Sequence, residues 1–552
     1  MSHRRRKKDG EPRSALPSLE LRFDELAAIV ERAKRALSVA DHAKLKAAMD
    51  TLAFVTAELQ TKQTSLDRLR RLLFGATTEK TRVLLGPDAA PGAPGPGTSP
   101  SPVADPPRPG HGRTAAAAYT GADTVKIPHP ALRRADPCPG CVKGKIYPLA
   151  EPATLVRITG MAPLGATVYA CERWRCNLCG EVFTAPAPEG VGAAKYDETA
   201  TSMVGLLKYG CGLPFHRIEV LQRALRIPLP AATQWELVRD ALPQLRPTWD
   251  ELLRQAAQGE VLYNDDTTMK VLALTREQRR AAAADEETDA RTGVFTSGIV
   301  ATGDGHHIAL FFTGRQHAGE NLADLLAQRA AALAPPIQMC DALAANTAGD
   351  FDTILAACFA HARRRFVDVI EHFPAEVRHV LETVREVYRT DAQARERALS
   401  PAERLRLHQA TSGPLMAGLE TWLRQQLDDH LVEPNSGLGT AITFMLKHWT
   451  KLTLFLRVPG APLDNNICER ALKKAILHRK NALFYKTLNG ARVGDVFMSL
   501  IHTAELNGIA PFEYLVALQR HHQAVARDPR AWLPWTYEAT LAELQARASP
   551  PG

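Results

Sequence analysis

Two kinds of residue in this chain could do chemistry: acids set in otherwise apolar stretches, and cysteines set in pairs. The acids are Asp265 in YNDDTTMKV, Asp341 in IQMCDAL and Glu469 in DNNICERALKK. Residues 261–274 alternate as a strand does. One face carries Val261, Tyr263, Asp265, Met269 and Val271, and the other Asn264, Asp266, Thr268 and Lys270. Asp265 therefore falls on the apolar face. An ionised carboxylate taken out of water costs several kcal/mol, roughly, unless something compensates. A divalent cation does, which makes Asp265 a better ligand candidate than Asp266. The plainer alternative is a polar strand end with both aspartates in water. Asp341 closes an apolar strand on the face of Ile337 and Met339, where ligands collect in open α/β sheets, or else caps a helix beginning after Ala342. Glu469 lies on a helix starting near Asn465 or Asn466. The spacing Asn466-x-x-Glu469 also fits a capping box, in which Glu469 only reaches back to the helix start. Oxygen donors of this kind suit Mg²⁺, a hard cation that keeps some of its waters.

The cysteines number nine. Cys138-Pro-Gly-Cys141 and Cys176-Asn-Leu-Cys179 form two tight knuckles, the four thiolates that tetrahedral zinc prefers. Short strands are expected at 154–159, 166–170 and 181–185, which makes a zinc ribbon with one structural Zn²⁺. Cys171 is expected to be a packed thiol. The basic start MSHRRRKKDG has no apolar stretch behind it, so it is no secretory signal, and the thiols point to metal binding and burial, not to a disulfide framework.

These groups must be positioned by the rest of a chain of 552 residues, long enough for several domains. A formal charge of +8 suggests a polyanionic partner. No run of about 18 apolar residues is present, so no membrane span is expected. Residues 1–19 form a basic tail. Residues 20–85 are helical, with Leu45, Leu52, Leu59, Leu66 and Leu73 at heptad spacing, either a zipper or a helix packed on its own protein. Residues 86–124 are a linker, rich in proline and glycine from Pro87 to Pro109. The ribbon occupies 125–190. Residues 191–258 are helical, with a helix-turn-helix candidate broken at Ile227-Pro228-Leu229-Pro230.

From 259 to 370 the pattern changes to strands at 261–274, 294–302, 307–314, 337–341 and 355–359, and helices at 320–329 and 362–371: an α/β core. Residues 371–460 read as an all-helical insertion, and Ser400-Pro401-Ala402-Glu403 as a capping box. The core resumes at 461–520, before a C-terminal tail, 521–552. Arg363, Arg364 and Arg365 sit at a strand-to-helix junction beside His361. Arg470, Lys473, Lys474, His478, Arg479 and Lys480 crowd the helix of Glu469. Such charge is useful beside a DNA backbone, where each phosphate contact releases counterions.

Several stretches together resemble the transposases of the insertion-sequence-66 family: LLFGATTEK, the two CxxC knuckles, LKYGCGLPFHR, NDDT, CFAHARRRF, DNNICERALKKAILHRKNALF and AWLPWTY. The resemblance runs from about residue 20 to the end. It implies a multidomain α+β protein whose RNase H-like core is interrupted by the helical insertion and preceded by the zinc ribbon and coiled-coil helix. It implies that Asp265, Asp341 and Glu469 act as one catalytic triad holding two Mg²⁺ (or Mn²⁺). The substrate it implies is double-stranded DNA, the terminal inverted repeats of a mobile element and its target. Arg363, Arg364, Arg365, Arg470, Lys473, Arg479 and Lys480 would hold the strands. A homo-oligomer in a synaptic complex, small accessory proteins of the same element and a cytoplasmic, nucleoid-associated setting in a bacterium are implied as well. Two positions depart from the family's pattern: Asp265-Asp266-Thr267 stands where Asp-Glu-Thr is usual, and Ala342-Leu343 where Gly-Tyr follows the second acid. The alternative from another class is a catalytically decayed DNA-binding protein that keeps the ribbon and zipper.

Overall fold

The computed structural model describes residues 194–548 almost throughout, leaving out 284–290, 292 and 350, and before residue 194 it describes only scattered residues and one short strand pair. The chain divides into two compact units, Met1–Pro94 and Gly95–Gly552, and everything below concerns the second. The basic tail, the leucine repeat beyond Leu45, the linker and all four paired cysteines lie outside the described residues. The strand pair is antiparallel, β1 (Arg173–Arg175) with β2 (Val182–Thr184), and flanks Cys176 and Cys179. The expected strand at 166–170 is not formed. That stretch is irregular, with Val168 90% exposed and no neighbouring strand among the described residues.

The architecture is mixed α+β around a five-stranded sheet: β3 (Val261–Thr268), β4 (Phe295–Gly303), β5 (His306–Gly314), β6 (Ile337–Cys340) and β7 (Ile354–Ala357), in the order β5-β4-β3-β6-β7. The first three form an antiparallel meander, and β6 and β7 join parallel to β3. The tight connection from β4 to β5 is Asp304-Gly305, both with positive φ (48° and 76°). That backbone matches the twist of paired strands and is open to Asp-Gly at little cost.

Strand β3 is shorter than the alternation implies. It ends at Thr268 because the backbone of Lys270 and Leu272 pairs with Tyr485 instead, and the helix-forming run after it becomes a helix, Leu272–Ala283. The faces of β3 also differ from expectation. Asn264, placed by alternation on the polar side, is fully buried. A central strand is covered on both faces, so its second polar face belongs to the interior.

The helices around the sheet and beyond it are, in chain order, α1 (Glu198–Gly205), α2 (Phe215–Ala224), α3 (Ala231–Asp240), α4 (Leu242–Ala257), α5 (Leu272–Ala283), α6 (Ala318–Leu326), α7 (Phe359–Val367), α8 (Pro374–Glu396), α9 (Pro401–Asp428), α10 (Gly437–Lys447), α11 (Trp449–Leu452), α12 (Asn466–Ala482) and α13 (Leu488–Leu506). Helix α6 packs on β3 and β4 and also touches α4, and α12 packs on β3 and β4 as well. Helix α13 runs along β5, the edge strand. Its Asn507, Thr503, Ser499 and Asp495 accept the outward N–H groups of His307, Ala309, Phe311 and Thr313, at 3.2, 3.0, 3.0 and 2.8 Å. The match is geometric: four helical residues rise about 6.0 Å and two strand residues about 6.8 Å. An open sheet edge is thereby closed by side chains.

The stretch from Pro374 to Leu452 contains helices only, α8 to α11. Its capping box is formed as expected, with Glu403 accepting from the Ser400 backbone N–H at 2.9 Å. Arg404 joins it to the returning chain, donating to Asp391 and to the Ala461 carbonyl, both at 2.7 Å. The C-terminal stretch is packed and does not trail away: Trp532 is buried and its carbonyl accepts from Tyr514 at 2.9 Å. Among the described residues no helix is long and apolar enough to cross a membrane.

Candidate active site

Strand register puts the two aspartates side by side. Tyr263 of β3 pairs with Met339 of β6 in parallel. Two residues further along both strands come Asp265 and Asp341, so they lie level, on the same face, with Asp341 just past the end of β6. Neighbouring strands are about 4.8 Å apart. On the other side, Asp265 pairs with Gly298 of β4. A Cβ at Gly298 would meet Leu472 of α12 at 3.0 Å and the Cys468 sulfur at 3.5 Å. The face of Asp265 is therefore the face α12 covers, and Glu469 stands in the first turn of that helix.

The electrostatics agree with this placement. The Asp265 carboxyl is pushed up to about 7. Burial is the main cause. A hydrogen bond from the Asp266 N–H (2.8 Å) pulls the other way, and the charges of Asp341, Asp266 and Glu469 add to the rise. Asp341 uses one oxygen locally, accepting from the Leu343 N–H at 3.2 Å and the Asn346 side chain at 2.6 Å. The N-cap of the short turn Ala344–Asn346 is Leu343, with no side-chain cap, so the capping role open to Asp341 from sequence is not the one it takes. Glu469 does not close a capping box: the N-cap is Asn465, Asn466 bonds Asp464 at 2.7 Å, and the Glu469 carboxylate instead faces His361, with Nδ1 3.7 Å from Oε1.

A buried amide network fixes the three carrier segments to one another. Asn264 donates to the Asn346 carbonyl (2.7 Å) and accepts from Gln338 (3.0 Å), while Asn465 donates to the Asn264 carbonyl (3.1 Å). It ties β3, β6, the Asp341 turn and the start of α12 together. On the opposite face, Asp266 bonds His317 beside α6 at 2.8 Å. Burial raises the Asp265 carboxyl, and the charges of the three acids around it raise it further, so the donor set is rich in negative charge. Asp265, Asp341 and Glu469 fit a hard divalent cation on those grounds.

The basic residues divide by location. Arg470, Lys473 and Lys480 lie on the exposed stripe of α12 and form no ion pair among the described residues. Arg479 is turned inward, donating to the Thr267 and Thr268 hydroxyls at 3.0 and 2.7 Å, and holds α12 to the end of β3. Lys474 pairs with Glu505 at 2.9 Å. His478 is buried against Lys208 (3.0 Å), and burial pushes it down to about 3, so it is neutral. On α7, Arg364 and Arg365 line a cavity of about 410 Å³ with Asp341 and His361, and Arg365 lies 3.8 Å over the Phe444 ring. Arg363 sits on the same helix, half-buried.

Sequence reasoning did not find the amide network or the closeness of His361 and Cys358 to Glu469. The C-x-x-H spacing in CFAH was the one local signal for the latter pair.

A sheet carrying level acids under a helix-borne glutamate defines a class of candidate metal-dependent enzyme. The sequence pattern of the family described as "Transposase IS66 family" matches residues 194–493, and the chain belongs to that family. Three proteins of Sinorhizobium fredii are similar. The uncharacterized protein y4jD is 34% identical over 34% of this chain and 36% of its own length. The uncharacterized proteins y4qI and y4hP are 26% and 27% identical over 62% and 67% of this chain, covering 62% and 68% of their own lengths. The matched segments thus span from about a third to about two thirds of those relatives.

Proposed function

We propose that this protein is a DNA transposase: it binds the terminal inverted repeats of an insertion sequence, cleaves there and joins the freed ends to target DNA. The observation that carries this reading is the β3–β6 register, which ends at Tyr263–Met339 and sets Asp265 and Asp341 each two residues beyond it, beneath the helix that bears Glu469, in a chain of a transposase family. The sheet order and its covering helices fit an RNase H-like core, divided by the insertion of α8 to α11. Two Mg²⁺ ions (or Mn²⁺) held by the three carboxylates would activate the attacking oxygen and stabilise the leaving one. The protein's own residues supply the rest. Asn264 and Asn465 hold the carboxylate-bearing segments in place. Asp265, raised to about 7 and so about half protonated at neutrality when alone, would hold a cation as the carboxylate, its proton going to solvent. Arg470, Lys473 and Lys480 offer an exposed row of charge for a phosphate backbone, and Arg363, Arg364 and Arg365 another at the mouth of the site. Arg479 acts by fixing α12. No protein nucleophile is required, since water and then a DNA 3′-hydroxyl can do the attacking. The paired cysteines Cys138, Cys141, Cys176 and Cys179 are assigned one structural Zn²⁺ on their spacing. A homo-oligomer bridging two element ends and accessory proteins of the same element complete the reading.

The test is incubation of the full chain with labelled element ends and Mg²⁺. Nicks at the ends and strand-transfer products are expected, and Glu469→Gln should lose both while retaining end binding. Full activity in that variant would remove Glu469 from the site. End binding with no nicks under Mg²⁺ or Mn²⁺ would favour the decayed DNA-binding protein.

A further inference from the structure

Cys358, His361 and Glu469 converge at the junction of α7 and α12. One donor atom from each lies within 4.8 Å of the other two. The thiol of Cys358 is buried at the N-cap of α7 and accepts the Asn465 N–H at 3.3 Å. The His361 backbone N–H also favours its ionised form, although burial outweighs both and pushes the thiol up to about 12. The Nδ1 of His361 is buried without a hydrogen-bond partner and stands 3.7 Å from Glu469. Donor atoms around a tetrahedral zinc are roughly 3.5 Å apart, given bond lengths of about 2.0 to 2.3 Å. The His–Glu separation, 3.7 Å, is close to that value, and the sulfur, no more than 4.8 Å from either, needs to close by at most about 1.3 Å. Sulfur, imidazole and carboxylate together are a poor set for Mg²⁺ and a good one for a softer cation. A bound cation would ionise the thiol outright, its proton going to solvent.

We propose that Cys358, His361 and Glu469 form a binding site for a thiophilic divalent cation, zinc above all, and that filling it withdraws Glu469 from the carboxylate site and stops cleavage. The second half rests on the transposase reading, and the first does not. The site is distinct from the four paired cysteines and shares one residue with the acid triad. It gives the protein an off state set by the soft metal available to it. Cys358 has no part in holding Mg²⁺, so its thiol can be changed without touching the oxygen donors.

The experiment titrates Co²⁺ into the full chain in the presence of Mg²⁺, for the natural protein, Cys358→Ser and His361→Gln. The serine keeps an acceptor for the Asn465 N–H, so the fold is retained, which circular dichroism checks. The natural protein should take up one more Co²⁺ than Cys358→Ser, with thiolate-to-cobalt absorption in the difference spectrum from which the other cysteines cancel. His361→Gln should weaken that uptake at least tenfold. Identical spectra and stoichiometry for the natural protein and Cys358→Ser would overturn the site. In the Mg²⁺ cleavage assay, Cys358→Ser should cleave normally without zinc and need at least tenfold more Zn²⁺ for half inhibition. Equal zinc sensitivity would overturn the regulatory half. Absence of cleavage by either protein would refute the transposase reading, while the cobalt difference would still decide the site.

Discussion

Replacing Asp265 by asparagine should make the metal-free protein more stable while destroying its activity. The carboxyl is raised from 3.8 to about 7, chiefly by burial. A carboxyl whose folded pKa lies above its unfolded one favours the fold fully only below the unfolded value, and that contribution is lost as pH rises through the folded value. At about 1.36 kcal/mol per unit, the loss from acid to above pH 7 is roughly 4 kcal/mol, of which about 2.6 falls between pH 5 and 8. Asparagine resembles the protonated acid, and its side-chain oxygen can still accept the Asp266 N–H. Asp265→Asn should therefore exceed the natural protein by up to roughly 4 kcal/mol at pH 8 and by under about 2 at pH 5. The assay is the midpoint of urea unfolding in buffer free of added divalent salt, at both pH values. Asp495, also raised to about 7 by burial, is common to both proteins and cancels in the comparison. Adding Mg²⁺ should stabilise the natural protein and leave Asp265→Asn nearly unmoved, since only a state that binds a ligand gains from it. A variant less stable than the natural protein at pH 8, or an equal pH dependence in the two, would refute the view of Asp265 as a strained carboxylate awaiting a cation.

Three further changes test the scaffold and the charged stripe. Gly298→Ala places a Cβ 3.0 Å from Leu472 and should cost about 1 kcal/mol in unfolding, with a proportionally larger fall in cleavage because α12 must shift over Asp265; unchanged cleavage would show that the helix position is not critical. Ser499→Ala leaves the buried Phe311 N–H without its acceptor and should cost about 1–3 kcal/mol by urea unfolding, whereas a neutral result would mean that water replaces the hydroxyl at the sheet edge. Changing Arg470, Lys473 and Lys480 together to glutamine should flatten the slope of log affinity against log salt for duplex DNA by about 0.9 per lost phosphate contact. An unchanged slope, read by fluorescence anisotropy, would place the DNA elsewhere.

What could be read from sequence was local, and what could not was long-range. Alternation along β3 singled out Asp265, because period two is a property of eight consecutive residues. It misjudged Asn264, because the helix that covers the second face of β3 is far along the chain and leaves no mark on those residues. The capping box at Ser400 was legible since all its partners lie within one turn. The similar spacing at Asn466 misleads, because Asp464 holds Asn466 and Glu469 turns to His361 instead. The crowd of bases on α12 looked like one patch. Burial and pairing divide it, sending His478 and Arg479 inward, Lys474 to Glu505, and leaving Arg470, Lys473 and Lys480 outside.

Helix α12 is where these strands of argument meet, and its charge order has a physical reason. An acid in the first turn and bases in the last suit the helix dipole, which is positive at the start and negative at the end. The positive end of the dipole thus faces Glu469, and its negative end faces Arg479 and Lys480 where the helix leaves the sheet. Gly298 lets that helix approach β4 closely enough for its first turn to overlie Asp265, and Asn465, at the N-cap, fixes the same turn to the carbonyl of Asn264. The pose of one helix on the sheet thus sets both the distance of the third carboxylate from the other two and the direction in which the exposed charged stripe leads away from them. A change that tilts α12 without altering any acid should disturb cleavage and DNA affinity together, whereas loss of an acid alone should disturb only the first.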